Sequence, residues 1–183
     1  MNEGIRTLRT KTSVRKLHKE TAQALGRDVE IAIMLQDWSD GYNVGGMFRV
    51  ADACGASMMI FSGRTPVDDP QIGVTSLGHH RRIPVQRIER NEEAAIWAKE
   101  QGFSLVTVEI AEGAVPYTEY EWPAKVCLVL GNEQQGVYTS VAKHRDAAVF
   151  IPMFGKGRSM NVHVSAAVVA FHVRLLGGPA AVE

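Results

Sequence analysis

Five short apolar runs constrain this 183-residue chain more than any other feature. They lie at Glu30–Leu35, Ser57–Phe61, Phe103–Val108, Lys125–Leu130 and Ala147–Pro152. Most are apolar at successive positions, as strands buried on both faces must be. The segments between them carry helical spacing. Val44, Met47, Phe48 and Ala51 fall at i, i+3, i+4 and i+7, which gives one buried stripe. Asn43 reads as the cap of that helix and Gly55 as its stop. Asn91 similarly caps a helix to Gln101, ended by Gly102. Asp69–Leu77 and Val137–His144 read as short helices, Arg82–Ile88 as an alternating strand, Gly113–Pro116 as a turn, and Asn161–Leu176 as a long final helix. Strands that alternate with helices and have no polar face predict an α/β fold, a mostly parallel sheet with helices on both faces. The length fits one domain with an adequate core. Residues 1–29 read as a basic amino-terminal helical extension and 30–183 as the domain proper.

Composition closes off several classes. The longest uninterrupted apolar stretch, Ala166–Phe171, is too short to span a bilayer. The start, Met1-Asn2-Glu3-Gly4-Ile5-Arg6, lacks the apolar core of a signal peptide, which predicts a cytoplasmic protein away from membranes. The two cysteines, Cys54 and Cys127, sit in apolar surroundings and read as small buried thiols. No Cys/His spacing matches a metal site, and none is predicted. Net charge is zero but unevenly spread. Between Ile5 and Lys19 there are six basic residues (Arg6, Arg9, Lys11, Arg15, Lys16, Lys19) and no acid. A second cluster is His79-His80-Arg81-Arg82, whereas Glu109, Glu112, Glu119 and Glu121 gather elsewhere. Segregated basic stretches suit a polyanionic partner; a solvated helix face explains the amino-terminal run equally well.

Two glycine loops follow buried strands: Gly131-Asn132-Glu133-Gln134-Gln135-Gly136 after Leu130, and Phe154-Gly155-Lys156-Gly157-Arg158-Ser159-Met160-Asn161 after Ile151-Pro152. Together with Asn43-Val44-Gly45-Gly46-Met47-Phe48-Arg49, they suggest one composite pocket at the carboxyl ends of the strands. The pocket is not a standard phosphate cradle. No Gly-x-Gly-x-x-Gly is present, and Gly155-Lys156 lacks the P-loop's earlier glycine because Phe150 stands there. No Gly-x-Ser-x-Gly elbow is present either.

These same residues carry a resemblance. Asn43-x-Gly45-x-x-x-Arg49 with Ala51-Asp52-Ala53-Cys54-Gly55 resembles the first motif of the SpoU family of RNA ribose 2′-O-methyltransferases, in the SPOUT superfamily. Leu128-Val129-Leu130-Gly131-Asn132-Glu133-x-x-Gly136-Val137 resembles the second. Ile151-Pro152-Met153-x-Gly155-x-x-x-Ser159-Met160-Asn161-Val162-x-Val164-Ser165-Ala166-Ala167 resembles the third, with Met160 where leucine is usual. All three occur in the family's order. The resemblance implies a SPOUT-type fold with a carboxyl-terminal trefoil knot and a homodimer with the last helix at the interface. It implies S-adenosylmethionine as cofactor, held near Thr107, Val108, Gly131, Ile151 and Met160. It also implies a catalytic set of Arg49, Asn43, Glu133, Ser159 and Asn161.

The final helix itself also suggests a partner subunit, with a central helix inside a monomer as the alternative. Val162, Val164, Ala166–Phe171 and Val173 leave it almost no polar side, so it should be covered all round. RNA is the implied partner, since only RNA offers the 2′-hydroxyl. Arg6, Arg9, Lys11, Arg15, Lys16, Arg81 and Arg82 are the candidate phosphate contacts. With no room for a separate recognition module, tRNA is favoured over ribosomal RNA. In the family the residue matching Arg49 is assigned to deprotonate the ribose hydroxyl. An arginine pKa of about 12.5 makes a cationic stabiliser of the developing alkoxide the alternative. Two rival readings remain: a non-catalytic RNA-binding protein of this fold, and a nucleotide-binding α/β domain.

Overall fold

A computed structural model describes residues 10–175. Seven strands form a single sheet in the order β3-β2-β1-β6-β4-β7-β5. They are β1 (Glu30–Gln36), β2 (Met58–Ser62), β3 (Val85–Ile88), β4 (Ser104–Val108), β5 (Val115–Pro116), β6 (Lys125–Leu130) and β7 (Ala147–Phe150). Every strand pairing is parallel. The predicted apolar runs thus became strands, trimmed by one or two residues at Phe103 and Pro152. β5 was not expected. It is a two-residue edge element, paired with Val149 and Phe150, inside the stretch that reads as a turn. A parallel strand that short carries no periodic signal.

Burial on both faces explains the missing polar alternation. On β1, Ile31, Ile33 and Leu35 join one core with Val126, Leu128 and Leu130 of β6. Helix α2 (Gly41–Cys54) and helix α6 (Val162–Leu175) cover that face. Ala32 and Met34 point the other way, into a second core with Cys127 and Val129, under α4 (Asn91–Glu100) and Val141 of α5 (Thr139–Ala142). The α/β reading with helices on both faces therefore holds. Both cysteines are buried and free, and burial pushes their thiols up, Cys54 to about 11 and Cys127 to about 12. That fits the packing role read from sequence.

Several local expectations need correction. Helix α2 starts two residues before Asn43: Asp40 is its cap, its carboxylate accepting from Tyr42 N at 2.8 Å. Asn43 is therefore inside the first turn, and its amide is free for other work. Helix α4 begins at Asn91 with Arg90 at the cap position, while Asn91 Oδ1 accepts from the Ser62 hydroxyl at 2.7 Å. The strand expected over Arg82–Ile88 begins only at Val85, because Arg82 closes a 3-10 turn, His79–Arg81, that follows α3 (Pro70–Ser76). Helix α6 is not covered all round within one chain. Ala166, Val169, Ala170 and Val173 are buried, whereas Val164, Phe171 and Leu175 are exposed. Arg174 fastens its end, donating to the carbonyls of Cys54, Gly55 and Arg27 at 2.9–3.0 Å. Helix α1 (Lys11–Leu25) has no buried residue. Arg6 and Arg9 lie outside the described residues.

Candidate active site

The loop after β6 is folded back on itself. Asn132 N donates to Gly136 O at 3.0 Å, and Gly136 N to Asn132 O at 2.9 Å. Gly131 lies so close to Gly136 and Val137 that a Cβ would collide with their backbone. Gly136 takes φ 66°, a left-handed conformation glycine adopts without strain. Gln36, buried at the end of β1, holds the far side: its amide donates to Gly136 O at 3.1 Å and accepts from Tyr138 N at 2.8 Å. Asn132 Nδ2 donates to Asp37 O at 2.6 Å. Asp37 is itself clamped between Arg64 and the Tyr138 hydroxyl. The Arg64 guanidinium holds the Asp37 carboxyl down at about 2. The strand ends thus fix the loop as a rigid shelf.

Beside this shelf is a cavity of about 430 Å³ at the carboxyl ends of β4, β6 and β7. Val108, Gly131, Ile151 and Met160 all line it, as do Asn43, Glu133, Ser159 and Asn161. Four predicted cofactor contacts and four of the five predicted catalytic residues therefore come together. Thr107 does not line it: its side chain is buried and donates to Ala147 O at 3.4 Å, whereas the next residue, Val108, faces the cavity. Alternation along a strand explains the one-residue miss.

Arg49 lines a different cavity, about 420 Å³, with Tyr42, Gly46, Val74, Thr75, Leu77 and His163. Asn43 lines both. Its Nδ2 donates to Glu133 Oε1 at 3.3 Å, and its Oδ1 accepts from Asn161 Nδ2 at 2.9 Å and meets His163 Nδ1 at 3.2 Å. One buried amide thus ties together all three predicted segments. Glu133 is also held by Ser39 N at 3.3 Å. Asn161 caps α6, its Oδ1 accepting from His163 N at 3.0 Å.

Sequence reasoning missed three residues here. His163 sits among valines and alanines and reads as part of an apolar helix. Burial pushes its imidazole below the usual histidine range, with Asp40 acting weakly the other way. Glu109 reads as one of a group of surface acids, yet it lines the first cavity and its carboxylate accepts from Val137 N at 3.2 Å. Arg158, in the second glycine loop, lines the same cavity. The loop's Phe154 is 99% exposed. Among the predicted RNA contacts, Lys11, Arg15, Lys16, Arg81 and Arg82 are exposed; Arg82 pairs with Asp52 at 3.4 Å and Lys16 with Glu20 at 3.8 Å. Among the described residues, no group of three His, Cys, Asp or Glu could hold a metal ion, and no helix is long and apolar enough to cross a membrane.

A parallel sheet with a glycine-shelved cavity at its strand ends, joined by one asparagine to a second cavity holding an arginine, is the arrangement in which α/β domains bind small molecules. Comparison with known proteins makes the class specific. The profile of the SpoU rRNA Methylase family matches residues 30–171, and the chain belongs to that family. The 23S rRNA (guanosine(2553)-2′-O)-methyltransferase RlmP of Bacillus subtilis is 31% identical over 146 residues, which cover 78% of this chain and 57% of that protein. A tRNA (guanosine(18)-2′-O)-methyltransferase of Thermus thermophilus is 26% identical over 148 residues, 81% of this chain and 76% of the relative. The AdoMet-bound rRNA methyltransferase from Sinorhizobium meliloti superposes with a TM-score of 0.74 at 28% identity, over 80% of this chain and 56% of that one. The chain thus spans a little over half the length of two of these three relatives.

Proposed function

We propose that this protein transfers a methyl group from S-adenosylmethionine to a ribose 2′-hydroxyl of RNA in the cytoplasm, with tRNA as the favoured substrate. One observation carries this reading: Asn43 joins the glycine-shelved cavity to the Arg49 cavity, so that a donor in the first and a ribose in the second meet at one residue. The first cavity suits the cofactor. Its volume is ordinary for a small-molecule site. Val108, Ile110, Leu130, Ile151, Met153 and Met160 offer apolar walls, and Glu109, Glu133 and Arg158 offer charge of both signs for a cationic, zwitterionic ligand. When bound, the cofactor supplies an already activated methyl. The protein's work is then to hold the hydroxyl in line.

Asn43, Glu133 and Asn161 form the rigid frame for that alignment. Arg49 is exposed on α2 and makes no hydrogen bond or ion pair among the described residues. We assign it to the phosphate beside the target ribose and to the charge that develops on the oxygen. Ser159 stands at the cavity wall as a further hydroxyl partner. Phe154, with Lys156 and Arg158 in the same loop, offers an unpaired base a stacking surface and its phosphates two cations. Lys11, Arg15 and Lys16 on α1, with Arg81 and Arg82, extend the basic surface. We regard residues 1–29 as a separate basic extension.

The proposed chain works as a homodimer. Val164, Val168, Phe171 and Leu175 follow one another at i, i+4, i+7 and i+11 along α6, and three of the four are exposed in the single chain. A trefoil knot is part of the same reading. It is supported by strand order: β6 lies between β1 and β4, and β7 between β4 and β5, so late strands enter gaps between earlier ones before α6 returns to α2. The direct test is to incubate the protein with methyl-labelled cofactor and total RNA, and to map the label by mass spectrometry. Label on a ribose supports the function. Cofactor binding without transfer to any RNA would favour a non-catalytic binding protein.

A further inference from the structure

We propose that His163 accepts the proton of the ribose hydroxyl through its Nε2. This rests on the methyl-transfer reading above and supplies what that reading lacks, a neutral base.

The Asn43 frame sets the imidazole's tautomer. Asn43 Nδ2 points at the Glu133 carboxylate, which can only accept, so Asn43 Oδ1 is the acceptor for its other two neighbours. His163 Nδ1, 3.2 Å from that oxygen, must therefore carry the hydrogen. In a neutral imidazole this leaves Nε2 with a bare lone pair. Nε2 has no hydrogen-bond partner among the described residues. The Nε2–Cδ2 edge of the ring lies over Gly46, where a Cβ would come within 3.1 Å of both atoms. Gly46 is one turn before Arg49 on α2, and both residues line the second cavity with His163. Glycine thus opens the space that lets the ring edge face the arginine's cavity.

The charged groups around the ring are few. Asp40 is the cap of α2, and Arg49 and Tyr42 come from that helix; Glu133 reaches the ring only through Asn43, and Arg158 belongs to the neighbouring cavity. Burial favours the neutral ring, with Asp40 as the weaker opposing influence. The balance is simple. The hydroxyl proton moves to Nε2, and the oxygen's electron pair forms the bond to the methyl carbon. The pair of the breaking carbon–sulfur bond stays on sulfur as a thioether. The positive charge lost by the sulfonium reappears on the imidazolium, which later releases its proton to water. Arg49 remains cationic throughout.

Three measurements test this. In single-turnover transfer to RNA, His163→Gln keeps a donor for Asn43 but has no base, and should lose about 10²–10⁴-fold. It should also lose the acidic limb of the pH profile while calorimetry shows unchanged cofactor binding. His163→Ala should be partly rescued by added imidazole. In the protein without cofactor, nitrogen NMR should find Nδ1 protonated and Nε2 bare, a state that Asn43→Ala releases. His163→Gln within threefold of wild type with the same pH limb would overturn the proposal, as would an Nε2–H tautomer. Transfer retained in that variant overturns only the role of His163, whereas absence of transfer by the wild-type protein overturns the function itself.

Discussion

Truncating Asn43 to alanine removes three contacts at once. Two are neutral hydrogen bonds, from Asn161 at 2.9 Å and His163 at 3.2 Å, and one goes to the Glu133 carboxylate at 3.3 Å. Neutral bonds contribute about 0.5–1.5 kcal/mol each and a charged one about 1.5–3 kcal/mol. Geometry puts the long Glu133 contact at the low end. Glu133 and Asn161 are exposed enough to recover water in the variant, so their desolvation cost is not left standing. The net loss of stability should therefore be about 2.5–3.5 kcal/mol, within what a domain of this size can lose, and the fold should survive. The catalytic loss should be larger, about 10²-fold, because the frame that sets the hydroxyl's approach is loosened and small misplacements are expensive there. Denaturant unfolding gives the first quantity, calorimetry with S-adenosylmethionine confirms an intact first cavity, and labelled-methyl transfer to RNA gives the second. Wild-type transfer in Asn43→Ala would refute the claim that this residue couples the two cavities. A loss equal in cofactor binding and transfer would make Asn43 merely a support for the first cavity.

Other outcomes follow from the same coordinates. Asp37 is held at about 2 by Arg64, below its ordinary 3.8, so its contribution to stability is complete above roughly pH 4 and disappears as pH falls toward 2. Asp37→Asn, which tolerates the positive φ of 56°, should flatten that part of an acid-unfolding curve; an unchanged curve would contradict the assignment. Gly131→Ala places a Cβ against the backbone of Gly136 and Val137. It should weaken cofactor binding at least tenfold in calorimetry, because the shelf must open, and unchanged affinity would show that the shelf does not hold the ligand. Val164→Asp puts a charge on the exposed apolar stripe of α6. If the proposed homodimer forms through this stripe, sedimentation should show the wild-type protein as a dimer and the variant as a monomer at the same concentration; a variant that dimerises as the wild type does would place the interface elsewhere.

Most of the scaffold is readable from the chain because strands buried on both faces announce themselves as unbroken apolar runs. Ile31 and Ala32 point into opposite cores, and both are apolar for that reason. The glycine loops are readable because close backbone approach, as at Gly131, excludes every other residue. The misses have physical causes too. Asn43 reads as a cap because asparagine caps helices well, but Asp40, three residues earlier, does so equally well, and tertiary contacts claim the amide. His163 is hidden in an apolar helix whose period gives no reason to single it out. The outward stripe of Val164, Phe171 and Leu175 cannot be told from the buried one by hydropathy alone. Arg49 was expected beside Gly131 and Ser159; it lies across Asn43 from them, a separation only folded coordinates reveal.

The most direct test of one continuous reaction site is a crystal structure of the protein with S-adenosylhomocysteine and a bound RNA substrate. It should find the thioether in the Gly131 cavity and the target ribose crossing Asn43, with its hydroxyl facing the sulfur, Arg49 on the neighbouring phosphate and His163 Nε2 at the oxygen. A nucleoside lodged in the Gly131 cavity while RNA lies along another surface, with the Arg49 cavity closed off from both, would contradict it.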